Sequence, residues 1–347
     1  MTEVKVKLVK KIDDSYKILI QKDSVNKVPA FLKKNKLGEK YMIVTDSKVR
    51  KLYGNSLLRF LKKNGLKADI ISFPQGEKNK TLKSVEKLAN EMIEKGFDRK
   101  DAIISLGGGV VGDVASLLSA TYMRGIPYIQ IPTTLLSMVD SSVGGKTGVD
   151  LESGKNLLGT FTQAKAVFID IKYLKSLSTK QIRAGLAEII KYGVIKDKSL
   201  FKFIEQNLEK ILSLEEKALN KIIKESVEIK ARIVEKDEKE HGERMILNYG
   251  HTYGHAIERM TNYKLLHGYA ISIGMVIINK FAVEKGYLKK EDADRIKKLL
   301  KDAGLPIVTV QKPSNKDIMS DKKKSGNYIN FIVPTEIGKV KIHKEKI

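Results

Sequence analysis

His251 and His255 stand four residues apart in Asn248-Tyr249-Gly250-His251-Thr252-Tyr253-Gly254-His255, a spacing that puts both imidazoles on one face of a helix. His267 follows in Leu265-Leu266-His267-Gly268. Glu188 and Lys191 lie one turn apart in Arg183-Ala184-Gly185-Leu186-Ala187-Glu188-Ile189-Ile190-Lys191, also on one face. Two imidazoles and a carboxylate suffice to hold a catalytic divalent ion with positions left open for substrate or water. Spacing alone selects His251 and His255 as the ligand pair. The chain has no cysteine, which removes thiolate sites and disulfides, so any metal must be held by His, Asp or Glu. His241 and His343 lie among charged residues and read as surface groups.

A second chemical signal is earlier in the chain. Ala102 to Leu106 is an apolar run that reads as a buried strand, followed by Gly107, Gly108 and Gly109 and then an apolar segment of helical length. Strand, glycine turn and helix start let backbone N–H groups approach a phosphate. Gly107, Gly109 and Gly112 fit G-x-G-x-x-G, a weak match where glycine clusters. An ordinary dinucleotide site also wants an acid some 20 residues on, and none occurs between Asp113 and Asp140. The ribose would then be held elsewhere. Gly145-Lys146-Thr147 resembles the tail of a P-loop, but Asp140 stands where that motif needs its first glycine, so an NTPase is excluded.

The elements that position these groups follow from periodicity. Val4 to Val9 and Tyr16 to Gln21 alternate around Asp13-Asp14-Ser15, which predicts a β-hairpin. Strands are expected at Tyr41 to Thr45, Ala68 to Phe73, 102 to 106 and Tyr128 to Ile131, with helices near Val25 to Asn35, Leu52 to Lys63, Thr81 to Lys95 and 110 to 120. Alternating βα units mean a parallel sheet, and ligands sit beyond the carboxyl ends of its strands. Asp46, Glu77, Lys80 and the triple glycine all lie just after strands. From Ser178 to about Ala303 helical patterns dominate, which marks a boundary near 170 to 177, and short strands close the chain at Tyr328 to Val333 and Lys339 to His343.

With 347 residues and 42% hydrophobic content the chain suits two domains. It has no apolar run of membrane-spanning length and no apolar leader, so a cytoplasmic protein without membrane attachment is expected. The net charge of +24 invites a nucleic-acid partner. The lysines are scattered over nearly every helix without aromatic interleaving, however, which fits a solvated basic surface that steers an anionic small molecule.

Taken whole, GGGVVGD (107–113), TYMRGIPYIQIPTTLLSMVDSSVGGKTGVD (121–150) and GKNLLG (154–159) closely resemble the 3-dehydroquinate synthase family of sugar phosphate cyclases, with further matches over roughly residues 40 to 340. The resemblance implies an α/β N-terminal domain with a parallel Rossmann-like sheet that binds NAD (1–172) and a mainly α-helical C-terminal domain for metal and substrate (173–347). It implies conversion of 3-deoxy-D-arabino-heptulosonate 7-phosphate to 3-dehydroquinate and phosphate. The steps are transient oxidation by NAD, phosphate elimination, re-reduction and an intramolecular aldol closure. Carried onto matching positions, it makes Glu188, His251 and His267 the ligands of zinc or cobalt and turns His255 to the substrate. Asp140, Lys146, Lys155, Asn156, Lys191, Lys230, Arg244, Asn248 and one of Lys322 and Lys323 join the substrate pocket. Arg124, in YMRG, resembles an arginine that reaches the neighbouring subunit's substrate phosphate, which implies a homodimer. The cofactor contacts implied are Asp46, Lys48, Glu77, Lys80, Gly108, Gly109, Val110, Asp113, Thr133, Thr134, Lys146, Lys155, Tyr173 and Ser176. Gln181 departs from the family's usual glutamate near the nucleotide, which implies a modest change in NAD affinity with the chemistry kept.

Overall fold

A computed structural model describes residues 3–9, 13–309, 313–314, 317–318 and 328–346. The chain begins with β1 (Lys17–Ile20), α1 (Val28–Asn35), β2 (Tyr41–Asp46), α2 (Ser47–Val49), α3 (Asn55–Lys63), β3 (Ala68–Phe73) and α4 (Leu82–Glu94). It continues through β4 (Ala102–Gly107), α5 (Gly109–Thr121), β5 (Tyr128–Pro132), a small hairpin of β6 (Val149–Leu151) and β7 (Gly154–Leu158), and β8 (Ala166–Ile169). A 3-10 turn, Ile171–Ser176, then leads into the helices α6 (Thr179–Ile195), α7 (Lys198–Leu212), α8 (Glu216–Lys236), α9 (His251–Met260), α10 (His267–Glu284) and α11 (Lys290–Asp302). The antiparallel pair β9 (Tyr328–Glu336) and β10 (Lys339–Lys346) closes the fold.

Six strands form one sheet in the order β1-β8-β5-β4-β2-β3, every pair parallel. All residues of β4, β5 and β8 are buried, which is why their sequences are continuous apolar runs instead of alternations. From β2 the chain steps outward to β3 and then returns to the other side of β2 as β4. The crevice between β2 and β4 is therefore a topological switch point.

One expectation fails here. The alternating segments on either side of Asp13-Asp14-Ser15 do not form a hairpin: residues 3–9 are exposed and outside any strand, and β1 pairs in parallel with β8. Period-2 patterning marks a strand but does not name its partner. His343 is a smaller correction. Its ring packs beside Tyr287 and Phe281 and its Nε2 meets Glu345 at 2.5 Å, so it is partly buried. Among the described residues no helix is long and apolar enough to cross a membrane. One hydrophobic cluster runs from Val25 and the sheet through the helices to Ile337, so sheet and helices share a core.

Candidate metal centre and cofactor edge

Ser178 caps α6 by accepting from the Gln181 amide at 3.4 Å, placing Gln181 at the third helical position in the S-x-x-Q form of a capping box. From Ala184 to Ile195 every residue of α6 is buried, so this helix is central to the helical half. Glu188 sits in its middle with no exposed surface. Two glycines bring α10 onto its neighbours. A Cβ on Gly268 would lie 1.9 Å from the carbonyl oxygen of Ala184, and one on Gly274 would lie 2.0 Å from that of Gly250. Only glycine permits these approaches, and they set His267 and His251, the first residues of α10 and α9, beside Glu188.

The resulting geometry is specific. His251 Nε2 and His267 Nε2 each lie 3.7 Å from Glu188 Oε1. His251 Nδ1 faces the Tyr249 carbonyl oxygen at 3.1 Å, which can only accept, so Nδ1 carries the proton. Burial pushes this imidazole well below the usual histidine range, which keeps it neutral and turns its Nε2 lone pair toward Glu188. His267 Nδ1 faces Glu258 Oε2 at 3.0 Å. Burial opposes protonation of His267, but Glu258 outweighs it and raises the group above its ordinary range.

Glu188 completes the set. Its two carboxylate oxygens are buried and receive no hydrogen bond, although the Lys191 ammonium forms an ion pair with Oε2. The Lys191 charge offsets part of the desolvation cost of this buried carboxylate, and Oε1 is left facing the two imidazoles. Ligand atoms about 2.1 Å from a tetrahedral ion stand roughly 3.4 Å apart, close to the 3.7 Å spacing of Glu188 Oε1 and the two Nε2 atoms. The donor set fits a divalent cation. A second grouping, His255 with Glu258 and His267, is spatially compact too. There, however, both Glu258 oxygens are engaged, one by His267 and the other by Lys155 at 3.2 Å. The structure therefore brings Glu188, His251 and His267 together where helical spacing pairs His251 with His255. The His255 ring lies 5.3 Å from that of His251 and 5.8 Å from that of His267.

Asp140 lies in a short π-helical segment after β5, Ser137–Ser141, and joins the sheet to this centre. Its Oδ1 accepts from Tyr192 Oη at 2.8 Å and from Lys230 Nζ at 2.6 Å. Burial opposes its ionisation, but Lys230 and then Lys191 outweigh burial and hold the carboxyl well below its usual range. Lys146 pairs with Glu240, whose other oxygen accepts from Asn248 Nδ2 at 2.6 Å. Arg244 is buried and donates to the carbonyl oxygens of Glu238 and Gly144.

Along the carboxyl edge of the sheet, the order β5-β4-β2-β3 sets Thr133 and Thr134, then Gly108, Gly109 and Val110, then Asp46 and Lys48, then Glu77 and Lys80, in a row. Gly108 is the N-cap of α5 and supplies no side-chain cap, so the first amides of that helix face this edge. A Cβ on Gly108 would meet Thr134 Cγ2 at 3.0 Å. Asp46 caps α2, with Oδ1 accepting from Lys48 N at 2.8 Å and Val49 N at 2.9 Å. Lys80 is buried and pairs with Asp113 at 2.5 Å and with Asn156. Lys155 bridges Glu77 at 3.0 Å and Glu258 at 3.2 Å. Tyr173 is buried edge-on against Tyr53, and Ser176 donates to its carbonyl oxygen at 3.1 Å. Arg124 is exposed, with φ 70° next to Met123 at φ 50°. Lys322 and Lys323 lie outside the described residues.

Three residues of this site escape a reading by sequence. Tyr192 follows Lys191 directly, and nothing in its context marks it. Glu240 sits in a charged run where no single acid stands out. Glu258 had a usable signal, because His251, His255 and Glu258 are spaced four and three residues apart on one helix face.

The comparisons with known proteins fit this arrangement. Its architecture is that of the sugar phosphate cyclases. It superposes with a TM-score of 0.89 on 2-epi-5-epi-valiolone synthase from Streptomyces hygroscopicus, solved with NAD+ and Zn2+, at 27% identity over 99% of this chain and 96% of that one. The TM-score is 0.86 for a 2-deoxy-scyllo-inosose synthase solved with carbaglucose-6-phosphate, NAD+ and Co2+, also at 27% identity and covering 95% of this chain and 93% of that one. Residues 70–184 match the family model for the 3-dehydroquinate synthase N-terminal region, and residues 185–325 match that for the C-terminal region. A 3-dehydroquinate synthase from Prochlorococcus marinus subsp. pastoris is 47% identical over 97% of this chain and 95% of its own length. The chain belongs to the 3-dehydroquinate synthase family.

Proposed function

We propose that this protein converts 3-deoxy-D-arabino-heptulosonate 7-phosphate to 3-dehydroquinate and phosphate, with NAD at the β2–β4 crevice and zinc or cobalt held by Glu188, His251 and His267. The observation that carries this reading is the buried Glu188 carboxylate, without a hydrogen bond and 3.7 Å from the Nε2 atoms of both histidines. Identity favours dehydroquinate over the neighbouring cyclase products, since the synthase relative is 47% identical and the other cyclases 27%. When bound, the metal and NAD supply Lewis-acid polarisation and reversible hydride transfer at one alcohol carbon, which acidifies the neighbouring C–H.

The remaining chemistry falls to the protein's own groups. Residues 1–172 act as the NAD domain and 173–347 as the metal and substrate domain. Lys146, Asn248 and His255 surround the substrate phosphate, with Arg124 of a second subunit completing its charge neutralisation in a cytoplasmic homodimer. Two consecutive non-glycine residues in the left-handed region at Met123 and Arg124 support a functional loop there. Arg244 adds to the charge neutralisation, and Lys191 and Asn156 orient the hydroxyls and carboxylate. Asp140 fixes Lys230 through its hydrogen bond and keeps a negative charge beside the substrate hydroxyls. Lys80, Glu77, Asp46, Lys155 and the α5 amides hold the dinucleotide.

The deciding assay is phosphate release from the heptulosonate phosphate, with and without added NAD and a chelator. Release that needs NAD, stops with chelator and yields no net NADH is expected. Steady NADH accumulation, or release indifferent to chelator, would sink the reading. Lys146→Ala is expected to lose most activity while binding zinc normally.

A further inference from the structure

Glu258 on α9 is almost fully buried, at 3% exposure, and none of the roles above includes it. Its Oε2 lies 3.0 Å from His267 Nδ1 and its Oε1 lies 3.2 Å from Lys155 Nζ. Lys155, on the hairpin strand β7, is in turn 3.0 Å from Glu77 Oε1, in the turn after β3. A chain of polar contacts thus runs from the sheet's carboxyl edge through Lys155 and Glu258 to the ring whose Nε2 faces Glu188. A carboxylate accepting from the distal nitrogen of an imidazole fixes its tautomer and raises its basicity toward a metal. A cation bonded to that same carboxylate draws charge away from the imidazole.

We propose that Glu258 is a positioning residue for the metal centre, orienting and strengthening His267 as a ligand, and that Lys155 attenuates this action by competing for the Glu258 charge. The inference rests on the reading of Glu188, His251 and His267 as metal ligands. Glu258 locks the His267 proton on Nδ1 and leaves the Nε2 lone pair for the ion. Any group that draws Lys155 toward Glu77 returns charge to His267 and tightens the site. The metal's affinity therefore registers what happens at the cofactor edge.

The test is zinc affinity of the full chain by competition with a chromophoric chelator, together with the visible absorption of the Co2+-loaded protein. Glu258→Gln is expected to weaken zinc binding about 10- to 100-fold and to shift the cobalt bands. Lys155→Met removes one hydrogen bond to Glu258 and is expected to act in the opposite direction, tightening zinc by about 2- to 10-fold. In the Glu258→Gln background, Lys155→Met is expected to change nothing. Should Glu258→Gln prove poorly folded by circular dichroism, the sign of the Lys155→Met effect still decides, since a merely structural role for Glu258 predicts no tightening. Unchanged zinc affinity in a folded Glu258→Gln protein, or equal tightening by Lys155→Met with and without Glu258, would overturn the proposal and leave the ligand reading intact. Absence of tight zinc binding in the wild type, or binding that survives Glu188→Gln, would overturn both.

Discussion

The sheet half and the helical half prepare for their ligands in opposite ways. Along the sheet's carboxyl edge the charges are already paired: Lys80 with Asp113, Lys155 with Glu77, and Asp140, after β5, with Lys230 of α8. In the helical half, the buried Glu188 pairs with Lys191 through Oε2 only, and its Oε1 faces two imidazole nitrogens without a hydrogen bond. An anionic ligand at the first region must exchange existing ion pairs for new ones, so its net gain is small. A cation at the second relieves a standing penalty. Binding strength should differ accordingly, with the metal the tighter guest.

The contrast can be broken first at Asp140. Asp140→Asn leaves the buried Lys230 without its counter-charge, and removing one partner of such a pair costs about 3–5 kcal/mol. Denaturant unfolding of the metal-free protein measures it, and a loss under about 1 kcal/mol would mean the sheet-half pairs are ornamental. Next in size is the effect of zinc. At a hundred times its dissociation constant a ligand stabilises the folded state by about 2.7 kcal/mol. A thermal-shift series with zinc and with chelator should show that gain in the wild type and lose it in Glu188→Gln. An equal shift with NAD alone would erase the difference between the halves.

Gly274→Ala comes third. Its Cβ would lie 2.0 Å from the Gly250 carbonyl oxygen, so α10 must move, at a cost of about 1–3 kcal/mol for overpacking. Zinc affinity should fall with it, because the same movement separates His267 from Glu188. The smallest effect belongs to the cap. Asp46→Ala removes the acceptor for the Lys48 and Val49 amides, worth about 1 kcal/mol. Acid titration offers a further check. Asp140 is held below its ordinary value of 3.8, so its stabilisation is complete above that pH and disappears as pH falls further. Asp140→Asn should flatten the acid limb of the stability curve, and an unaltered limb would assign it to other carboxylates.

Much of the fold was legible because parallel strands buried on both faces leave a plain mark. The runs read from the sequence at 41–45, 68–73, 102–106 and 128–131 fall within the observed strands, each short of its end by at most one residue. The alternation near residue 4 was misread for the opposite reason: which strand pairs with β1 is decided by β8, about 150 residues away in sequence. The hairpin of β6 and β7 leaves little mark in the sequence because its strands are three and five residues long and interrupted by Asp150, Lys155 and Asn156. Histidine spacing pairs His251 with His255, whereas the structure gathers His251 with Glu188 and His267, the set that the family resemblance implies. The close approach of α10 to α6 depends on what an added Cβ would strike, and Gly268 and Gly274 disclose that only once Ala184 and Gly250 stand opposite them.

The uninterrupted apolar cluster from Val25 to Ile337 also bears on how the molecule comes apart. Units that melt separately need separate cores, and here the sheet's inner residues and those of α6 belong to the same packed body. Heating should produce a single calorimetric peak, in which the nucleotide edge and the imidazole cluster vanish together. A fragment cut near residue 172 would expose the inner surface of that shared core and is expected to precipitate instead of folding alone.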